Sequence, residues 1–96
     1  MAEKHSVKFT IYPKGAEAFA VWLSGREQWA LEQLINAGDR GCTPILQPAP
    51  RWSAYVHKLR KQGVPIETLH EPHKGSFPGH HGRYILKAYA CREDAA

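Results

Sequence analysis

The sequence contains little cysteine, and its two cysteines, Cys42 and Cys91, lie far apart without a Cys-x-x-Cys partner. Since no export signal accompanies them, buried reduced thiols are expected rather than a disulfide framework. A Cys–His dyad is the only catalytic pairing that these residues offer, and no local signature supports it. A chain of 96 residues is also small for a substrate pocket in addition to a core. The sequence therefore predicts a protein that is not an enzyme.

Long apolar runs and phosphate-binding glycine motifs are missing as well. No apolar stretch approaches the roughly 18 residues of a membrane span, and the N-terminal residues lack the apolar region of a signal peptide. Neither G-x-x-x-x-G-K-[ST] nor G-x-G-x-x-G occurs. We therefore expect a cytoplasmic protein with no membrane partner and no cofactor.

The overall composition is that of one small basic domain spanning residues 1–96. Hydrophobic residues make up 43% of the chain, which can fill a single core, and the three tryptophans are most simply part of it. The formal net charge is +4, and the sequence pI is about 9.3. This moderate excess of positive charge favours an acidic partner such as nucleic acid, without requiring one.

The most informative stretch is residues 49–63, which has the pattern of a short amphipathic helix. Pro50 suits the first helical position, and Gly63 suits the position just beyond the C-terminal end. One face is apolar and aromatic, and the opposite face is basic. The apolar stripe consists of Trp52, Tyr55, Val56 and Leu59.

Three further elements are predicted before this helix. Residues 7–23 read as a β-hairpin around a turn at 13–15, although residues 16–23 are also compatible with a helical turn. Ser24 and Glu27 form a capping-box pattern at the start of a helix that runs to about residue 36, before Gly38. Thr43 and Pro44 then begin a second helix that Pro48 must cut short.

The remaining residues predict a second β-hairpin. Residues 64–70 and 83–90 read as strands, 71–82 as a long loop and 91–96 as a polar tail. The element order predicts an α+β winged helix-turn-helix. It comprises an N-terminal β-hairpin (7–23), a three-helix core with a short second helix (24–62) and a C-terminal β-hairpin wing (64–90).

Several segments resemble small bacterial winged-helix domain proteins, many of them phage- or prophage-associated and of uncharacterised function. The resemblance covers about residues 5–90, and its most specific part is 50–68. It implies a winged-helix fold and DNA binding, in a small transcriptional regulator or a phage or prophage accessory factor. The short second helix departs from the general pattern and puts standard major-groove docking in doubt. The segments are 26–31 (REQWAL), 41–45 (GCTPI), 50–60 (PRWSAYVHKLR), Gly63, 66–68 (IET) and 82–86 (GRYIL).

The basic face of the third helix and the wing supply the candidate DNA-binding residues. Arginine and lysine bind phosphates and guanine edges, and serine and histidine add hydrogen bonds. A merely solvated basic face and a mobile surface loop are the alternatives. The candidates are Arg51, Ser53, His57, Lys58 and Lys61 on the helix and Lys74, His80, His81 and Arg83 on the wing.

Two other partners remain open. His70, His73, His80 and His81 lie close in sequence, but their spacing fits a tetrahedral zinc site poorly, so no metal is expected. The winged helix would alternatively be a protein-protein interaction module acting on a nucleic-acid machine, and the hairpin edge offers a route to a homodimer. Carboxylates such as Glu67 and Glu71, if they interrupt the cationic surface, favour the protein-partner alternative.

Overall fold

The computed structural model describes residues 6–49, 51–73 and 79–93. These residues form two α-helices and five strands. The strands make a three-stranded sheet in the order β2-β1-β5 and a two-stranded sheet, β3-β4. Among the described helices, none combines the length and apolar character needed to cross a bilayer. The elements are β1 (Val7–Pro13), β2 (Phe19–Leu23), α1 (Gly25–Ala37), a 3₁₀ turn (Gly38–Arg40), α2 (Trp52–Lys61), β3 (Ile66–His73), β4 (Gly79–Leu86) and β5 (Ala88–Glu93).

The predicted N-terminal hairpin is confirmed, including its second strand, and it belongs to a larger sheet. β1 pairs antiparallel with β2, so that Phe9 lies opposite Val21, and Gly15 turns the chain with a positive φ of 71°. The other edge of β1 pairs with β5. The prediction of a polar tail from residue 91 is therefore wrong for residues 91–93, which form the end of β5.

Helix α1 lies against the inner face of this sheet. Ala30, Leu31 and Leu34 are fully buried in the same core as Phe9 and Ile11 of β1. The capping box is not formed, because the Ser24 side chain makes no capping hydrogen bond. The predicted glycine stop is confirmed: Gly38 has φ 58°, and its N–H donates to the carbonyl of Leu34.

The prediction of a three-helix core is wrong, because the second helix is reduced to one turn. Thr43 Oγ1 accepts hydrogen bonds from the N–H groups of Ile45 (3.2 Å) and Leu46 (3.0 Å). The Gln47 N–H reaches the Thr43 carbonyl at 2.9 Å, and no α-helix continues beyond it. A proline follows at position 48, where it lacks the N–H that would extend the turn.

Helix α2 has the predicted pattern of buried side chains and the predicted C-terminal end. Its N-cap is Arg51, while Pro50 lies outside the described residues. At the C-terminal end, the Gly63 N–H donates to the Arg60 carbonyl at 2.9 Å and the Val64 N–H to the Leu59 carbonyl at 3.1 Å. Gly63 has φ 97°, so this pair of bonds is the glycine-dependent Schellman ending.

The wing hairpin has longer strands than the sequence predicted. β3 and β4 pair from Ile66↔Leu86 to His73↔Gly79, so most of the predicted loop at 71–82 is strand. The predicted returning strand at 83–90 is also divided, because the chain leaves β4 at Leu86 and enters the other sheet as β5. Both strands are therefore confirmed in direction but not in extent.

A backbone bridge at one residue pairs the wing with the segment between the two helices. Cys42 bridges to Tyr84 of β4 through two backbone hydrogen bonds of 2.8 and 2.9 Å. Its neighbour Gly41 has φ 73° and ψ 179°, a combination open essentially to glycine. A Cβ there would lie 2.7 Å from the Tyr84 carbonyl oxygen and 2.8 Å from Ile85 Cγ1.

Three aromatic rings meet where the helices and the wing join. Trp52 of α2 lies 5.3 Å from the Trp29 ring of α1 and is stacked on Tyr84 of β4 at 5.8 Å between centroids. Its indole N–H donates to the Gln47 carbonyl at 2.6 Å. The expectation that all three tryptophans belong to the core is wrong for Trp22, which lies on the solvent side of β2.

We expect Gly41→Ala to lower the free energy of unfolding by about 3 kcal/mol, because it combines backbone strain with overlap against β4. Gly15→Ala is the matched control, since Gly15 also has a positive φ but has no atom within 4 Å of its Cβ position. That control is expected to cost about 1 kcal/mol. Urea unfolding measures both, and equal losses would contradict the close contact at Gly41.

Candidate nucleic-acid interface

The five candidate residues on α2 lie on its solvent side, as predicted. The opposite stripe of four apolar side chains is buried, which fixes the rotation of the helix about its own axis. The 3.6-residue period therefore places the basic residues together on one exposed face. We call this set the α2 outer face: Arg51, Ser53, His57, Lys58 and Lys61.

The two flanks of α2 are attached to neighbouring elements. On one side, Lys58 Nζ lies 3.7 Å from Glu27 Oε2 of α1, although the Lys58 side chain remains 63% exposed. On the other side, the Arg60 guanidinium donates to the Ile66 carbonyl at 2.7 and 3.2 Å and to Thr68 Oγ1 at 2.7 Å. Arg60 thus braces the helix against β3 and leaves the middle of the outer face open.

Two cations of the outer face, Arg51 and Lys61, and its histidine, His57, are available to a ligand. Within the described stretches, Arg51, His57 and Lys61 form no ion pair, and all three are exposed. They belong to a helix held at both ends by hydrogen bonds and along its length by buried side chains. This arrangement presents a fixed pattern of positive charge that a phosphate backbone can meet without rearrangement.

The wing candidates His81 and Arg83 have a partner within the protein. Arg83 Nε donates to Glu71 Oε2 at 2.5 Å, and Arg83 Nη1 donates to the Arg40 carbonyl at 2.6 Å. His81 Nε2 lies 3.3 Å from the other carboxylate oxygen of Glu71. The Glu71 carboxylate thus offsets the charge of the wing and joins β3 to β4, while Arg83 joins β4 to the 3₁₀ turn after α1. Its position opposite His81 depends on strand register, which the sequence alone did not indicate.

The other two wing candidates are less defined. Lys74 lies outside the described residues, and His80 is placed only as a backbone position opposite Pro72 in the hairpin. Both remain sequence-based predictions. Glu67, whose carboxylate would favour a protein partner if it interrupted the cationic surface, lies 3.7 Å from Lys87 Nζ. Carboxylates therefore pair with more of the cations in and beside the wing than of the cations on α2.

The two cysteines lie in different parts of the fold. Cys42 is buried at the bridge to β4, where burial raises the pKa of its thiol to about 11. Cys91 is half-buried on the other sheet. Within residues 6–49, 51–73 and 79–93, no three potential metal-ligating side chains come together.

The Glu71 cluster makes stability depend on pH. The hydrogen bond from Arg83, assisted by His81, lowers the pKa of the Glu71 carboxyl below its ordinary value. A lowered folded-state pKa adds stability above the unfolded-state pKa, and that stability is lost as pH falls through the folded-state pKa. The cluster therefore stabilises the wing at neutral pH and ceases to do so in acid.

We expect Glu71→Gln to lower the urea midpoint clearly at about pH 7 and less at about pH 3, because the stability that comes from a lowered carboxyl pKa is lost progressively as pH falls from the unfolded-state pKa to the folded-state pKa. Glu67→Gln is the matched control on the same strand, with one exposed ion pair at 3.7 Å. It is expected to change the midpoint little at either pH. The same loss at both pH values for Glu71→Gln would contradict the role of its charge.

Comparison with known proteins yields one match. The family model described as Winged helix domain matches residues 20–93, a range that contains both helices and the wing but excludes β1. No curated protein and no solved structure matches the chain.

The matched range agrees with the architecture. The bridge at Cys42 supplies a minimal third strand beside the wing, and α2 occupies the place of the recognition helix. Winged helix domains as a family are chiefly DNA-binding regulatory modules, which agrees with an exposed basic face on this helix. With three quarters of its length matched and this element order, the chain belongs to the winged helix domain family.

Proposed function

We propose that the protein binds double-stranded DNA through the α2 outer face. The observation that supports this best is a pair of exposed cations on the α2 outer face, Arg51 and Lys61, that form no ion pair with any described residue. His57 and Ser53 lie beside them. Lys58, Lys61 and Arg51 would hold phosphates. Ser53 and His57, together with Arg51, would supply contacts to base edges. Because the helix axis is fixed by Trp52 and Arg60, this pattern is presented in one orientation.

The reduced second helix shapes this proposal. In a complete helix-turn-helix, the helix before the recognition helix crosses the DNA backbone. Here the turn at Thr43–Gln47 takes that place, and it presents Ile45 and Leu46 rather than cations. Phosphate contacts therefore fall to α2 and to the wing, where Lys74 and His80 are proposed to take part. Arg83 and His81 are assigned a smaller share because Glu71 engages them.

The biological setting that follows is a small transcriptional regulator or a phage or prophage accessory factor. One copy offers only a few phosphate contacts, so its binding is expected to be weak and strongly dependent on salt. Tight, specific recognition would require two copies or a partner protein. A homodimer is therefore proposed for the specific complex only.

A protein-binding role is the second candidate, and one observation favours it. Ile45 and Leu46 are 57% and 56% exposed at adjacent positions, on the turn that leads to α2. Adjacent exposed aliphatic side chains are typical of a contact that another protein covers. On this alternative the winged helix docks on a nucleic-acid-processing protein, and Ile45→Ser with Leu46→Ser would abolish the docking without altering DNA affinity.

We expect the parent protein to bind a random-sequence DNA duplex with micromolar affinity at low salt. Lys61→Ala and Arg51→Ala should each reduce the slope of log K against log salt by about 0.9, the value for one lost phosphate contact. Lys14→Ala, an exposed lysine in the hairpin turn, is the matched control and should leave the slope unchanged. Fluorescence anisotropy at several salt concentrations measures the affinity and this slope. No binding by the parent protein at low salt would overturn the proposal.

A change in α1 gives a test with the opposite sign. Glu27→Gln removes the carboxylate 3.7 Å from Lys58 and should tighten duplex binding about two- to fourfold at low salt. Glu32→Gln removes the same charge from the same helix, but Glu32 pairs with Arg92 of β5 instead. A larger gain for Glu27→Gln than for Glu32→Gln supports DNA contact at α2, while equal gains would indicate only a general charge effect.

A further inference from the structure

The three-stranded sheet has one buried face and one open face. The buried face contains Phe9 and Ile11 of β1 and packs against α1. Side chains at alternate positions point to the other side, where nothing covers them in the described parts of the chain. Every exposed aromatic residue of those parts lies on this side: Tyr12 (43% exposed), Trp22 (58%) and Tyr89 (70%). We call this surface the open sheet face.

Strand register orders these side chains into rows. Lys8 lies between Trp22 and Glu93, and Tyr12 lies opposite Tyr89. The row between them contains only small side chains, Ala20, Thr10 and Cys91. Aromatic rings therefore stand at both ends of a shallow floor, about 14 Å apart along β1.

The geometry at each end suits stacking with a planar group. The Tyr12 and Tyr89 ring centroids are 5.6 Å apart with the planes inclined at 40°, so one face of each ring is not covered by the other. At the opposite end, the Lys8 ammonium lies 5.8 Å from the Trp22 ring centroid. A lysine on a flexible stem can leave this ring for a phosphate when a base takes its place.

Among the described residues, the open sheet face carries one cation, Lys8, and one carboxylate, Glu93. The Glu93 carboxylate is engaged within the protein, because it accepts hydrogen bonds from Thr10 Oγ1 of the central strand β1 at 2.8 Å and from Cys91 Sγ of β5 at 3.3 Å. Lys8 is exposed at the centre of its row, and the whole chain has a pI of about 9.3.

Size argues against a second copy of this chain as the occupant. The floor spans two interstrand spacings and four residues, an area on the order of 150 Å². A stable protein interface needs about 800 Å² from each partner. A sheet of this width is instead comparable to RNA-binding sheets, whose aromatic side chains stack about two or three bases.

We propose that the open sheet face binds single-stranded nucleic acid, with bases stacked on Trp22, Tyr12 and Tyr89 and a phosphate held by Lys8. This site is distinct from the α2 outer face, because the sheet faces away from the core that α2 helps to form. β1 supplies Lys8 and Tyr12 and lies outside the range matched by the winged helix domain family. The inference therefore does not depend on duplex binding by α2.

The full chain is titrated at low salt into a fluorescent single-stranded oligothymidine of about ten nucleotides, within the usual site-size range. Tyr89→Ala and Trp22→Ala should each weaken this binding by about 5- to 100-fold, the usual effect of losing one stacking ring. Duplex binding by the same variants should be unchanged. Leu69→Ala, an exposed apolar residue on β3, is the matched control and should alter neither affinity.

A second readout needs no destabilising variant. Oligothymidine should quench tryptophan fluorescence of the parent protein, because Trp22 is exposed while Trp52 is buried. Trp22→Phe keeps a stacking ring and should retain most of the affinity while losing most of the quenching. Lys61→Ala should retain single-strand affinity, whatever happens to duplex binding.

Three results would overturn the proposal. The first is no binding of oligothymidine at low salt. The second is binding that survives Tyr89→Ala and Trp22→Ala but is lost in Lys61→Ala, which would assign it to α2. The third is a dimer in sedimentation that Tyr89→Ala dissociates, which would identify a second copy as the occupant.

Discussion

The position of α2 depends on the contacts of one side chain, Trp52. Its ring packs between Trp29 of α1 and Tyr84 of the wing, and its N–H caps the turn that replaces the second helix through the Gln47 carbonyl. A buried indole with an unmet N–H would be costly, so the hydrogen bond and the ring packing require the same placement. In a winged helix with only two α-helices, this residue does much of the positioning that a full second helix otherwise provides.

Local patterns predicted the parts of the fold that neighbouring residues determine. The apolar stripe of α2 predicted both the helix and its rotation about its own axis, and Gly63 predicted its C-terminal end. The stripe consists of Trp52, Tyr55, Val56 and Leu59. The hairpin at 7–23 followed from alternation around a turn. The shortness of the second helix also followed, because Pro48 lacks the N–H that would extend the turn begun at Thr43. The hydrogen bond from the Trp52 indole N–H to the Gln47 carbonyl, which holds this turn beside α2, did not follow from any local pattern.

The candidate site was also predictable only where it depends on neighbouring residues. The α2 outer face was predictable, because exposure on a helix follows from its period. The ion pairs of Glu71 and the brace from Arg60 to Ile66 were not, since they depend on strand register and on contacts between distant elements. Trp22 was misplaced for a related reason. Its strand alternates correctly, but the sequence does not show that β1 and β5 leave one side of their sheet open.

Pairing of β1 with β5 also affects the order in which the chain folds. Thr10 and Glu93 are joined across 83 residues of sequence, whereas the two hairpins are local. Pairings between distant residues require closure of a long loop and form slowly compared with hairpins and helices. During synthesis, β1 emerges before β5 and can pair only with β2, among the described strands, until β5 follows. The helices and the wing can assemble in that interval, so the three-stranded sheet is completed after them, by β5.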